Sequence, residues 1–149
     1  MSQNLQDSSG LTAALNSGVL ATGSTTSQIA IGTAVNYAYK GQFFQRATSA
    51  SIAYPANSGS HTTLAAGQAC SFLIVVDPAN SSALSAVQGP IVNVGDSCPV
   101  AAVPDGRVAI GALKVSNVTN PFVPGTTLLG AAGVTATYFN FATHPGAAI

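Results

Sequence analysis

The run "CSFLIVV", Cys70 to Val76, carries the strongest buried-strand signal in the chain. It is a short apolar run rich in β-branched residues, and Asp77-Pro78 closes it with a turn signal. A run of this length with a breaker at its end reads as a buried strand. Its continuous apolar core, Phe72 to Val76, is the longest in the chain. A membrane span needs about 20 continuous apolar residues, so no membrane partner is expected.

Working outward, the same texture repeats. "ALSAVQGPIVNVG" gives another strand or two, broken at Gly89-Pro90. "PDGRVAIGALKVSN" turns at Pro104-Asp105-Gly106 and enters a strand. "GVTATYFNFAT" is the last strand, with Val134, Ala136 and Tyr138 alternating with Thr135, Thr137 and Phe139. Upstream, Ala34 to Tyr39 and Gln42 to Thr48 read as two strands around Lys40-Gly41, a hairpin signal. Period-two alternation places Tyr37 and Tyr39 on one face. "YPANSGSHTTLAAGQ" reads as a loop, and no window has helical periodicity. Many short strands at about 8 to 12 residue spacing predict an all-β sandwich or barrel. The expectation is one all-β domain, a β-sandwich over residues 27–149, with a jelly roll as one form of it. Its expected core is Ile29, Ile31, Val35, Phe72, Ile74, Val76, Val92, Val108, Ile110, Leu113, Val115, Val134, Ala136 and Tyr138. Residues 1–26 are Ser, Thr, Gly, Asn and Gln with scattered Leu and Ala, and are expected to form an extended N-terminal arm.

Charge is the unusual feature. Only 5% of the 149 residues are charged and the formal net charge is zero, against about 25% charged in ordinary domains. Asn120 to Ile149 contains no Asp, Glu, Lys or Arg. Hydrophobic residues make up 47%, which excludes disorder of the usual polar, highly charged kind. No basic field exists to hold phosphates, so no nucleic-acid partner is expected. Copies without net charge lack mutual repulsion, and homo-oligomers are expected. The opening "MSQNLQDSSG" has neither a basic start nor an apolar stretch, which points to synthesis in a cytoplasm without a cleaved export signal.

Candidate chemistry is sparse. His61 and His144 lie in turn-rich segments, and no G-x-S-x-G accompanies them. A small hydrolase using either histidine is the rival reading, and no catalytic residue, cofactor or metal is expected. Cys70 and Cys98 stand 28 residues apart without a C-x-x-C motif, leaving a disulfide or buried free thiols open. No phosphate loop is present. The aromatic residues Tyr37, Tyr39, Phe43 and Phe44 lack the positive groove of a base-stacking platform. They form an expected core or interface cluster, and together with Phe122 and Phe139 they are the expected interface residues.

Three stretches together carry a resemblance. "VNYAYKGQFFQRATSA" is similar to an aromatic hairpin of small virion proteins of tailed bacteriophages. "PDGRVAIGALKVSN" resembles their Pro-Asp-Gly turn and following strand, and "FVPGTTLLGAAGVTATYFNF" resembles their closing segment. The resemblance spans most of residues 34–141, while residues 1–26 carry none of it. It implies a head-associated capsid decoration (cement) protein on the outer virion surface, bound to the major capsid protein and associating as a homotrimer. A tail or fibre component is the alternative. The same texture would also suit an adhesin or pilus subunit, against which the absence of an export signal weighs.

Overall fold

A computed structural model describes residues 10–140. Eleven strands and no helix occur among them. The "CSFLIVV" run lies within β7 (Gln68–Asp77), an inner strand of a five-stranded antiparallel sheet. Along this sheet the order is β11 (Val134–Asn140), β10 (Val108–Asn117), β7, β8 (Ala83–Gln88), and the short β9 (Val92–Asn93) also pairs with β7.

Every residue from Ala69 to Val76 is buried, because both faces of β7 are covered. Cys70, Phe72, Ile74 and Val76 point into the main core. Leu73 and Val75 join Ala109 on the opposite face, under Val87, Val100 and Val103. The segment carrying Val100 is fastened there by the Ser71 hydroxyl, which donates to the Pro99 carbonyl at 2.5 Å. Gly89 makes this approach possible: a Cβ there would lie 2.5 Å from the same carbonyl oxygen.

On β10 the core residues Val108 and Ile110 are two apart, yet the next, Leu113, is three further on. A register shift between Ala109 and Gly111 against β7 accounts for the change. The extra residue of a β-bulge resets the alternation, so both halves of the strand face the core.

Two three-stranded sheets form the second layer. One has the order β1 (Ala13–Ala14), β4 (Val35–Tyr39), β5 (Gln42–Arg46); the other β2 (Leu20–Thr22), β3 (Ile29–Ile31), β6 (Ser49–Ile52). Their inward residues Ala14, Leu20, Ile29, Ile31, Val35 and Tyr37 complete the core over the large sheet. The result is an all-β sandwich of antiparallel strands. A jelly roll, with eight strands in two Greek keys, is not established by this strand order.

Several expectations change. Residues 10–26 do not form an extended arm: β1 pairs with β4, β2 pairs with β3, and Ala14 and Leu20 are buried. Strands of two and three residues are too short to leave a periodic signal. Residues 1–9 of the expected arm lie outside the described residues. Ten of the expected core residues are buried, whereas Val92, Val134, Ala136 and Tyr138 are half-buried because they sit on the peripheral strands β9 and β11. Tyr54, Leu64, Leu73, Val75 and Leu129 are core residues that alternation alone did not mark.

Candidate interaction surface

The hairpin β4–β5 turns through two residues, Lys40 at φ 48° and Gly41 at φ 76°, with Tyr39 paired to Gln42. Positive φ at both central residues is the type I′ turn, whose twist matches that of the flanking strands. This turn fixes the register and so decides where each aromatic points. Tyr37 faces inward, fully buried, and Phe44 opposite it stacks on its ring at 5.5 Å and 14°. Tyr39 packs against the same core and carries Lys40 Nζ 5.3 Å from its ring centroid, a cation–π contact. Phe43 faces the other way and is 77% exposed.

The outer face of this sheet carries exposed apolar side chains beside the buried Ala38 and the polar Asn36 and Gln45. Ala13, Ala38 and Phe43 lie opposite one another across its three strands. Leu11 and Leu15, two residues either side of Ala13, share that face by alternation and are exposed. Asn16 lengthens the short β1: its Oδ1 accepts from the Asn36 N–H at 2.6 Å, and its Nδ2 donates to the Ala34 carbonyl at 2.9 Å. Gln45 donates to Asn36 Oδ1 at 2.9 Å and forms the polar border of the patch. A second set of exposed apolar side chains, Val118, Val123 and Leu128, lies in the segment between β10 and β11.

The expected interface aromatics therefore separate. Tyr37 and Phe122 are removed from any interface by complete burial; Phe122 is held by backbone bonds to Leu64 in both directions. Tyr39, Phe44 and Phe139 are half-buried, and Phe43 alone of the six stands out into solvent. Leu11 and Leu15 were hidden from sequence reasoning by the polar composition around them. The signal that finds them is their two-residue spacing about Ala13.

Several titratable side chains take part in packing and hydrogen bonding. His61 Nε2 lies 3.0 Å from the Tyr54 carbonyl oxygen, and its ring stands edge-on to Phe72 at 5.1 Å. It borders a cleft of about 410 Å³ lined by Asn57, Thr62, Gln88, Ile91 and Pro104 among others. His144 lies outside the described residues. Cys70 and Cys98 are free, buried thiols. Burial pushes the Cys70 thiol up to about 12, against a weaker opposing hydrogen bond from Gln88, so it is not a nucleophile near neutral pH. Among the described residues no three His, Cys, Asp or Glu side chains converge as metal ligands. Arg107 bridges Asp77 at 3.0 Å and Asn57 at 2.9 Å, joining the end of β7 to the loop before it.

No protein-family model, curated protein or solved structure matches the chain.

Proposed function

We propose that this chain is a structural protein of a bacteriophage virion, a capsid decoration protein that binds the outside of the head and stabilises the shell. The observation that carries this reading is a set of exposed large apolar side chains on a nearly uncharged fold, among them Leu11, Leu15 and Phe43 on the small sheet and Val118, Val123 and Leu128 between β10 and β11. A subunit with two kinds of protein neighbour, its own copies and a shell, needs apolar contacts for both. Few charges let both be covered without desolvating ions, which is costly. The three stretches similar to phage virion proteins point to the same class. Within this reading the chain is not an enzyme and takes no cofactor.

The test is imaging of purified virions with and without the protein. Copies distributed over the shell, and a shell that ruptures at lower temperature when they are missing, are the expected result. Copies confined to the tail would replace decoration by a tail or fibre role. Val123→Asp with Leu128→Asp, which alters only exposed positions, is expected to reduce shell occupancy while leaving the soluble protein folded.

A further inference from the structure

The two-residue turn that orients Phe43 also fixes which backbone groups are left over. In an antiparallel ladder, hydrogen-bonded and non-hydrogen-bonded pairs alternate. With Tyr39 and Gln42 flanking the turn as a bonded pair, Tyr37/Phe44 and Val35/Arg46 are the next bonded pairs along the register. The N–H and C=O groups of Phe43 and Gln45 must then point away from β4. Strand β5 is the edge of its sheet. Its outward groups meet one contact among the described residues, the Ser82 hydroxyl 3.5 Å from the Gln45 carbonyl. Proline, bulges, short length, edge charges and a covering loop are the usual protections of an edge. Strand β5 has neither proline nor register shift, is five residues long, and carries one charge, Arg46 at its end.

We infer that the edge of β5 joins a second copy of this chain, antiparallel about a two-fold axis. An antiparallel edge is complementary to itself under such an axis, and the side chains select the register. When Phe43 lies opposite the second copy's Gln45, every outward backbone group of the two residues is paired. Arg46 then lies beside the second copy's Gln42, on the same face. Arg46 is only half-buried within the chain, and a charged guanidinium gains from an added acceptor. The Gln42 side chain is exposed and supplies an acceptor. Sliding the strands so that Phe43 opposes Phe43 would set Arg46 against Lys40, a like-charge pair that is unfavourable. In the favoured register Phe44 faces its own counterpart, and the two Phe43 rings are diagonal neighbours on the outer face. The three-stranded sheets of the two copies then become one six-stranded sheet. Zero net charge removes the repulsion that keeps identical copies apart. Such a contact closes at two copies, where the resemblance to virion proteins implies three.

The inference shares with the proposed function only the expectation of self-association, and its test needs no virion. The mass of the full chain in solution is measured by light scattering over a range of concentrations. A concentration-dependent dimer is expected. Phe43→Ala is expected to weaken it about tenfold. Phe43→Pro, whose missing N–H points away from β4, is expected to abolish it while circular dichroism keeps its strand signature. Amide exchange at Phe43 and Gln45 should slow as dimer accumulates, whereas exchange at Phe44, already bonded to β4, should not change. A monomer at all concentrations, a trimer, or a dimer that survives Phe43→Pro would overturn the inference without touching shell binding. If Phe43→Pro fails to fold, exchange in the unaltered protein decides: concentration-independent exchange at both residues overturns it.

Discussion

The Tyr37 hydroxyl lies 2.5 Å from the Ser82 hydroxyl, and both groups are buried. This bond ties the aromatic hairpin to the connection between β7 and β8, joining the two layers of the sandwich at one end. Ser82 holds a left-handed backbone at φ 57°, an unusual state for a residue with a side chain. Tyr37→Phe leaves the Ser82 hydroxyl short of its partner and should cost about 1–3 kcal/mol. Tyr37→Phe combined with Ser82→Ala should cost less than the sum of the two. Urea melts of the four proteins in this cycle measure the coupling.

Gly111 predicts the sharpest single-site effect. A Cβ there would meet Leu20 Cδ1 at 2.4 Å and the Phe139 carbonyl oxygen at 2.7 Å. Gly111→Ala should destabilise by about 1–3 kcal/mol through overpacking. Adding Leu20→Ala, which by itself should cost about 2–5 kcal/mol, should recover part of the Gly111→Ala loss, because only the backbone clash then remains. The same contact predicts that deleting residues 1–26 destabilises the sandwich, since the deletion removes both Leu20 and β1. Thermal melts of the truncated chain test this; an unchanged midpoint would show that the segment is dispensable.

Lys40 carries the φ > 0 position that the type I′ turn requires, at which an asparagine is more comfortable. Lys40→Asn should stabilise the fold by about 0.5–1 kcal/mol, and Lys40→Val should lose about 1 kcal/mol or more, since a β-branched side chain resists this conformation. Denaturant midpoints at constant slope report both.

Alkaline pH should weaken the fold in a definite window. Burial raises Cys70 from 9.0 to about 12 and Tyr54 from 10.0 to about 12. Both groups ionise more readily in the unfolded chain, so the unfolded state binds fewer protons and stability falls as pH rises. The loss should begin near 9 with Cys70, steepen above 10 with Tyr54 and end near 12. Cys70→Ala should remove the first part of the slope. At pH 8 the native protein should react far more slowly with a thiol reagent than the urea-unfolded chain does.

Much of this architecture is written locally. The apolar run Phe72 to Val76, the alternation around Tyr138 and the Lys40-Gly41 turn each act over a few residues, so the all-β class and the hairpin follow from the sequence alone. The shift of core spacing between Ile110 and Leu113 is also visible there. Its cause, the bulge between Ala109 and Gly111, exists only where β10 meets β7. Tertiary structure alone decided the rest. Phe43 and Phe44 are adjacent and chemically alike, yet one stacks on Tyr37 and the other stands in solvent, because the turn register sends them to opposite faces. Phe122 went into the core through its pairing with Leu64, a contact between residues 58 positions apart. Leu11, Leu15 and Leu20 gained their roles only from the strands beside them. A two- or three-residue strand has no intrinsic signal, and it is stabilised by the edge it completes and the cavity it fills.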